Sequence, residues 1–302
     1  MFPSEIKTEE QIQEAIISVV VFFDLFDYPL TNYEIWKYLD YRLSLLKIDE
    51  SLTYLKSLNE LDSKDGLFFL KNRSEIIISR QKRHNYTQRK IKIAKRFSKI
   101  FSLLPWVKTV ILSNSIGQFN LRDGSDIDFF IICSPRRIWL TRFFCAGVAA
   151  LLNSRPKLKN KRDKICLSFY ITTDNLNLDS LKLPGGDPYF FYWLRSFILL
   201  YNKDGVYEKF LAANNLVISN ECNGIYFEKE RDVKQNIIIS QFEKIIKTIQ
   251  YIIMSPALKK AINNSIGVVV NDNILKLYLF DNRREYAKKY GNRLEQIIKK
   301  NN

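Results

Sequence analysis

Cysteine and histidine are scarce in this chain of 302 residues, which contains four cysteines and one histidine, His84. The cysteines are far apart and form no C-x-x-C pair (Cys133, Cys145, Cys166 and Cys222). Because disulfide frameworks and Cys/His zinc sites need clustered ligands, neither is expected here. The composition fits a reducing compartment.

Long apolar runs are also missing, and no secretory leader is expected. The first ten residues, MFPSEIKTEE, are acidic where a leader would be basic and then apolar. The apolar runs at 16–23 and 143–152 are too short to span a bilayer, and Arg195 interrupts the run at 189–201. We therefore predict a cytoplasmic protein with no membrane partner, in which these runs form the core.

Positive charge is in excess, but it is unevenly distributed. Residues 1–78 hold eight Lys and Arg against 14 Asp and Glu, whereas the remaining residues hold 39 against 18. Since clustered positive charge attracts phosphates, an anionic partner is to be sought along the basic part of the chain.

The N-terminal region has the element order of a winged helix. Apolar residues at helical spacing over 8–26 predict a first helix that ends before Pro29, and Thr31 precedes a second helix. A third helix follows Asp49 or Ser51, and the next segment predicts a hairpin that turns at Asp65-Gly66. We therefore predict a winged-helix-like domain at 1–79.

The third helix of this region is unsuited to DNA contact. It carries Asp49, Glu50 and Glu60 against Lys56, which is the wrong sign for phosphate contacts. Packing, or contact with a partner, is the role expected for this domain.

Residues 80–99 hold nine Lys or Arg and no acidic residue, with Ile91, Ala94 and Phe97 at helical spacing. This predicts an amphipathic linker helix with a cationic face. Two interpretations remain open, a solvated surface between two domains and a contact surface for RNA or another phosphate ligand.

The rest of the chain predicts an α/β core over 100–220 and a helical C-terminal segment over 221–302. WVKTVILSNS, DIDFFIICS and KICLSFYIT predict strands, with a helix in RIWLTRFFCAGVAALL between the last two. Residues 187–215 are predicted to be mostly helical, and 234–253 form a helix with an apolar face.

Asp126 and Asp128 are two residues apart on a predicted strand, so both side chains project from one face. Ile127, Phe129 and Ile131 then point into the core. Paired carboxylates on one face are hard oxygen ligands suited to Mg²⁺, with Mn²⁺ as the alternative ion.

A turn precedes this pair. Ser113-Asn114-Ser115 ends one strand, and ten residues separate Ser115 from Asp126-Ile127-Asp128-Phe129. On these motifs, which cover residues 107–132, the chain resembles the DNA polymerase β-like nucleotidyltransferase superfamily. The surrounding order also resembles bacterial nucleotidyltransferase-domain proteins with an N-terminal winged helix. An order with the acids ahead of the apolar run argues against nucleotide-sugar glycosyltransferases, whose acidic pair follows the strand.

The resemblance implies a mixed-sheet nucleotidyltransferase core and transfer of a nucleoside monophosphate from a nucleoside triphosphate (NTP) to an unknown acceptor. By the same resemblance Asp126 and Asp128 are catalytic and hold the metal, while Asn114, Ser115 and Ser125 contact the nucleotide. Arg142 either binds a substrate phosphate or pairs with a nearby acidic residue.

The chain departs from the superfamily pattern at two positions. Asn114 stands in place of a glycine, and Ser168 stands where a third carboxylate is common; Asp163 and Asp174 only flank that strand. Because a hydroxyl is no base at neutral pH, the alternative is a catalytically inactive protein of this fold that binds NTP or RNA. Within LYLFDNRREY, Asp281, Arg283 and Arg284 are candidates to cover the cleft.

Overall fold

The computed structural model describes residues 8–41, 43–113, 119–157, 160–216, 237–262 and 264–301. The chain is a mixed α/β protein built around a six-stranded sheet, with a separate two-stranded hairpin near the N-terminus. No helix in this described part combines the length and the apolarity that a bilayer span requires.

The N-terminal part consists of three helices and a hairpin: α1 (Glu9–Asp24), α2 (Asn32–Tyr38), α3 (Leu45–Ser57), β1 (Leu61–Lys64) and β2 (Leu67–Leu70). Thr31 begins α2 as predicted, because its hydroxyl accepts from the Glu34 amide while the Glu34 carboxylate accepts from the Thr31 amide. The hairpin turns at Asp65 and Gly66, whose φ angles of 55° and 73° match the left-handed conformation that two-residue hairpin loops need. The three helices and the hairpin predicted here are confirmed, but α3 begins at Leu45, ahead of the start after Asp49 or Ser51 that was predicted.

The core of this N-terminal part is completed by later segments. Phe22 of α1 packs against Tyr192 of α6 (Pro188–Arg195), with ring centroids 4.2 Å apart, and against Tyr290 of α10 (Arg283–Asn301). Asp24, which is buried, pairs with Arg293 of α10 at 2.6 Å. The end of the chain is therefore packed onto its beginning.

The basic helix is longer than predicted. It runs from Ile76 to Phe101 as α4, and several of its cations make contacts within the protein. Arg80 pairs with Glu34 at 2.8 Å and Arg83 with Asp27 at 3.4 Å, so α4 is tied to the N-terminal part. Arg89 and Lys90 contact the loop before the acidic pair. The remaining cations of the predicted cationic face are exposed to solvent: Lys82, Lys92, Lys95, Arg96 and Lys99.

The large sheet consists of six strands: β3 (Val107–Leu112), β4 (Ile127–Cys133), β5 (Ile165–Thr172), β6 (Ile198–Asn202), β7 (Val268–Val270) and β8 (Ile274–Leu277). Their order in the sheet is β6-β3-β4-β5-β8-β7. Only β4 and β5 are parallel among these neighbours, and the other pairs are antiparallel. The three strands predicted for the core are confirmed as β3, β4 and β5.

Two segments that were predicted to be helical or mostly helical also supply strands to this sheet. The segment at 221–302 contains the helices α8 (Ile237–Ile253), α9 (Pro256–Ala261) and α10, but it also supplies strands β7 and β8. The segment at 187–215 is mostly helical as predicted, with α6 and α7 (Val206–Ala213), and β6 lies between these two helices. The sequence did not indicate these strands because a short apolar run carries no periodicity that separates a buried strand from a helix.

Helix α8 packs its polar side against α5 (Ile138–Leu151). Glu243, which is 7% exposed, accepts hydrogen bonds from the backbone amides of Trp139 and Leu140 at 2.9 and 3.0 Å. Because the first amides of a helix have no partner within the helix, this carboxylate caps α5 from outside. The predicted apolar face of α8 is exposed to solvent, for example at Ile238 and Phe242.

Candidate functional site

The two aspartates lie where β4 begins. Asp126 immediately precedes the strand and Asp128 is its second residue, while Ile127 and Phe129 are fully buried on the other side. The alternation predicted for DIDFFII is therefore confirmed. The side chains of Asp126 and Asp128 are partly exposed, which keeps them within reach of a ligand.

The loop ahead of the pair is held by a buried lysine. Lys90 of α4 is fully buried, and its ammonium donates to the carbonyls of Asp123 and Ser125 at 3.1 and 2.6 Å and to the Asp163 carboxylate at 2.8 Å. Arg89 pairs with the same two acidic residues, Asp123 at 2.6 Å and Asp163 at 3.1 Å. These contacts fix the backbone of Ser125, the residue before Asp126.

Cys166 of β5 is the third member of the cluster. It lies opposite Asp128 in the parallel register, and the ligand atoms of Asp126, Asp128 and Cys166 lie within 4.8 Å of one another. This is the one group among the described residues in which three acidic, thiol or imidazole side chains come together in this way. The sequence analysis did not select Cys166, because the β4–β5 register that brings it to Asp128 is a tertiary feature.

A β-bulge shapes β5 at this point. The register shifts between the pairs Asp128–Cys166 and Phe130–Phe169, so two residues of β5 face one of β4. Within the bulge, the Ser168 hydroxyl lies 3.0 Å from the Cys166 sulfur. The strand therefore offers a thiol and a hydroxyl beside the carboxylates, but no third carboxylate.

The environment of Cys166 keeps its thiol protonated. Burial, followed by the negative charge of Asp128, raises the pKa of this thiol well above its ordinary value. A protonated thiol is a weak donor and not a metal ligand, so the two carboxylates are the groups that suit a hard cation here. A softer cation such as Zn²⁺ can recruit the sulfur by displacing its proton.

The other predicted site residues are distributed as follows. Asn114 and Ser115 lie outside the described residues. The Ser125 hydroxyl donates to the Arg122 carbonyl at 3.0 Å, within its own turn. The Arg142 guanidinium donates to Gln250 of α8 and lies near Tyr170, on the sheet face opposite Phe169. The structure thus does not bring Arg142 to the aspartates, and its partner is an amide rather than an acidic residue.

Asp163 and Asp174, the acidic residues that flank β5 in the sequence, lie apart from the acidic cluster. Asp163 is engaged by Lys90 and Arg89, as described above, and these cations lower its pKa although burial acts in the opposite direction. Asp174 lies in a 3-10 turn after the far end of β5. Neither belongs to the cluster of Asp126, Asp128 and Cys166.

A cavity of about 230 Å³ opens beside Asp128. Its walls come from the end of β3, from β5, from α6 and from the C-terminal segment that begins at β8. At the β3 end, the Ser113 amide donates to the Asp128 carbonyl at 3.0 Å, and the indole of Trp193 donates to the Ser113 carbonyl at 2.6 Å. The cavity is therefore continuous with the acidic cluster.

Charged groups in the cavity wall form a balanced network. Lys276 and Arg283, each 6% exposed, both contact the Asp281 carboxylate, at 3.1 and 2.9 Å. Arg283 also pairs with Asp187 at 2.7 Å. Burial alone would raise the pKa of Asp281, but Arg283 and Lys276 outweigh it and lower this pKa to about 2. Of the three residues that the sequence offered to cover the cleft, Asp281 and Arg283 border the cavity, whereas Arg284 is not among its lining residues.

Aromatic rings form much of the remaining wall. Tyr189 of α6 stacks on Tyr286 of α10, with ring centroids 5.4 Å apart and planes 11° apart. Phe169 of β5 stacks on Trp193 of α6 at 5.8 Å and 12°. Phe280, which is 88% exposed, lies at the outer rim. No sequence pattern indicated this grouping, because its members come from segments that meet only in the fold.

The chain matches no protein-family model, no curated protein and no solved structure in the three comparisons made with known proteins.

Proposed function

We propose that this protein is a Mg²⁺-dependent nucleotidyltransferase, which moves a nucleoside monophosphate from an NTP to a hydroxyl acceptor. One observation carries the proposal. Asp126 and Asp128 converge at the start of β4, their ligand atoms within 4.8 Å of Cys166, and a cavity opens beside Asp128. A paired-carboxylate site next to an open cavity is an arrangement suited to a metal-bound phosphate ester.

The reaction asks little covalent chemistry of the protein. The acceptor oxygen forms a bond to the α-phosphorus, the bond from that phosphorus to pyrophosphate breaks, and the hydroxyl proton passes to water. When bound to Asp126 and Asp128, Mg²⁺, or Mn²⁺ in its place, would neutralise phosphate charge and polarise the phosphoryl group. The role of the chain is to position the reactants and to compensate charge.

Lys90 supports this role from within the protein. Its ammonium holds the Ser125 carbonyl at 2.6 Å, so the residue before Asp126 has a fixed backbone position. A metal site loses affinity when its ligands are free to move, and second contacts of this kind hold ligands in place. Lys90 is therefore a positioning residue in the proposed site.

The test is binding of Mg²⁺ together with each of the four NTPs, measured by calorimetry on the wild type and on the Asp126→Asn/Asp128→Asn variant. Metal-dependent NTP binding is expected in the wild type alone. The matched control is Asp62→Asn/Asp65→Asn, which removes two exposed aspartates from the β1–β2 hairpin and should leave binding unchanged. Equal binding by the wild type and the Asp126/Asp128 variant would refute the proposed metal site.

Turnover is tested by pyrophosphate release from NTP and Mg²⁺, with RNA, a protein or a small polyol as the hydroxyl donor. The wild type should release pyrophosphate with at least one donor. The Asp126→Asn/Asp128→Asn variant should be slower by roughly a thousandfold or more, because removing preorganised charge at a reacting phosphate has costs of that order.

A second candidate is a non-catalytic protein of the same architecture that binds NTP or RNA. It is favoured by the Cys166 thiol and Ser168 hydroxyl on β5, where no third carboxylate of the described residues joins the cluster. Metal-dependent NTP binding without pyrophosphate release from any donor would support it. RNA binding that weakens steeply with salt and survives loss of both aspartates would assign the exposed cations of α4 to that role.

A further inference from the structure

Most residues that line the cavity beside Asp128 have no role in the proposed metal site. Aromatic rings line it from α6, β5 and the C-terminal segment, and they include the stacked pairs Tyr189–Tyr286 and Phe169–Trp193. Parallel rings at these spacings present flat faces and edges, and a planar ligand packs well against such surfaces. The volume of about 230 Å³ is below the usual range for drug-sized ligands, so one ring system is the part that fits.

The charges in the wall indicate that this ring is neutral. Lys276 and Arg283 are already neutralised by Asp281 and Asp187, with contacts of 2.7 to 3.1 Å. Asp128 adds a further carboxylate at the cavity edge. A triphosphate would gain little attraction from paired cations and would be repelled by Asp128 unless a metal lay between them. The neutral part of a nucleotide is its base.

Donor groups in the wall further restrict the choice of base. The Nη2 atom of Arg283 is buried and has no hydrogen-bond partner among the described residues. Lys276 directs two hydrogen bonds, to the Ile266 carbonyl and to Asp281, and an ammonium has three donors. Buried donors left without acceptors are costly, and a ligand oxygen against this wall would relieve that cost. Guanine, uracil and cytosine carry a ring carbonyl, whose oxygen has two lone pairs and can accept from two donors, whereas adenine offers only ring nitrogens that accept one hydrogen bond each.

We propose that this cavity is a nucleobase site, which stacks the base of the NTP among these aromatic rings and prefers bases that carry a ring carbonyl. The inference rests on the proposed function for the metal and triphosphate, but base binding itself needs neither. Nucleosides, which lack phosphates, therefore test the cavity separately from the acidic pair.

The experiment measures binding of guanosine, uridine, cytidine and adenosine by calorimetry without metal. We expect the three carbonyl-bearing nucleosides to bind about tenfold more tightly than adenosine, on the scale of one lost hydrogen bond to a charged donor. Each bound nucleoside should compete with Mg²⁺ and NTP. Asp126→Asn should abolish the metal-dependent part while leaving nucleoside binding in place.

Phe280→Ala removes a rim aromatic that is 88% exposed, so the fold should tolerate it. It should weaken nucleoside binding by roughly five- to a hundredfold, the range for loss of one base–aromatic contact. Leu151→Ala is the control, because Leu151 is equally exposed, at 88%, and lies on α5 outside the cavity. Arg283→Lys keeps the charge and removes Nη2, and it should reduce the preference over adenosine.

Several results would overturn the inference. If Mg²⁺ and NTP bind but no nucleoside does, the cavity is not a base site and the proposed function stands. If nucleosides and NTP bind together without competition, the cavity takes another ligand. Adenosine binding as tight as guanosine binding would remove the role of the wall donors. If neither nucleosides nor Mg²⁺ with NTP bind, both proposals fail.

Discussion

Asp281 neutralises the two buried cations of the cavity wall, Lys276 and Arg283, and Asp281→Asn removes this negative charge. Its carboxylate accepts from Lys276 at 3.1 Å and from Arg283 at 2.9 and 3.0 Å, and all three side chains are at most 7% exposed. Asparagine keeps the shape but removes the charge. Asp187 would then be the carboxylate left to neutralise both cations, and of the two it pairs directly with Arg283.

The magnitude follows from the pKa of Asp281. The pKa falls from its ordinary value of 3.8 to about 2 in the folded protein. At about 1.4 kcal/mol per pKa unit, this corresponds to about 2–3 kcal/mol of folding stability at neutral pH. Because the folded-state pKa is lowered, this stabilisation is fully present above the unfolded-state pKa and is lost as pH falls from 3.8 towards 2. The difference between wild type and variant should therefore shrink to about 1 kcal/mol at pH 3.

The assay is urea unfolding of both proteins at pH 7 and at pH 3. Asp179→Asn is the control, because Asp179 is 55% exposed and pairs at the surface with Lys182 at 2.6 Å. Such surface pairs contribute between zero and about 1 kcal/mol. The reasoning is refuted if Asp281→Asn costs no more than Asp179→Asn at pH 7, or if its cost is the same at pH 3.

Three further predictions concern other parts of the molecule. In Gly267→Ala the added Cβ would lie 2.1 Å from the Tyr278 carbonyl oxygen, so we expect a loss of about 1–3 kcal/mol in urea unfolding, and an unchanged midpoint would contradict the close approach. Glu243→Ala should cost about 1–3 kcal/mol in thermal unfolding because two amides at the start of α5 lose their acceptor; the milder Glu243→Gln, which keeps one acceptor, should cost less. Cys166→Asp places a carboxylate beside Asp128 and should tighten Mg²⁺ binding in calorimetry. The control is Cys145→Ala, which changes a buried cysteine outside the cluster and should leave Mg²⁺ binding unchanged. Weaker Mg²⁺ binding by Cys166→Asp would show that position 166 does not face the ion.

Elements with a local signal were predictable from the sequence. The hairpin turn at Asp65-Gly66 follows from the need for positive φ at two adjacent residues, and the start of α2 follows from the reciprocal bonds of Thr31 and Glu34. The placement of Asp126 and Asp128 on one face follows from the two-residue period of a strand, with Ile127 buried behind them. Each of these features depends on neighbours within four residues.

The strands β6, β7 and β8 carry no local sequence signal that identifies them as strands. The run at 197–201 follows a helix directly, and three valines at 268–270 are too few for any period to be measured. These segments are strands because sheet edges elsewhere in the fold accept their backbone hydrogen bonds: β3 pairs with β6, and β5 pairs with β8. Pairing partners distant in sequence decided the conformation of β6 and β8, and β7 joins the sheet through its neighbour β8.

The candidate site divides in the same way. The sequence by itself determined the acidic pair and the buried strand behind it, because strand alternation is local. Only the tertiary structure decided that Cys166 meets the pair, that Lys90 of α4 fixes the loop before it, and that Arg142 lies elsewhere. The aromatic cavity likewise exists only in the fold, since long-range packing joins segments more than 100 residues apart that share no pattern along the chain.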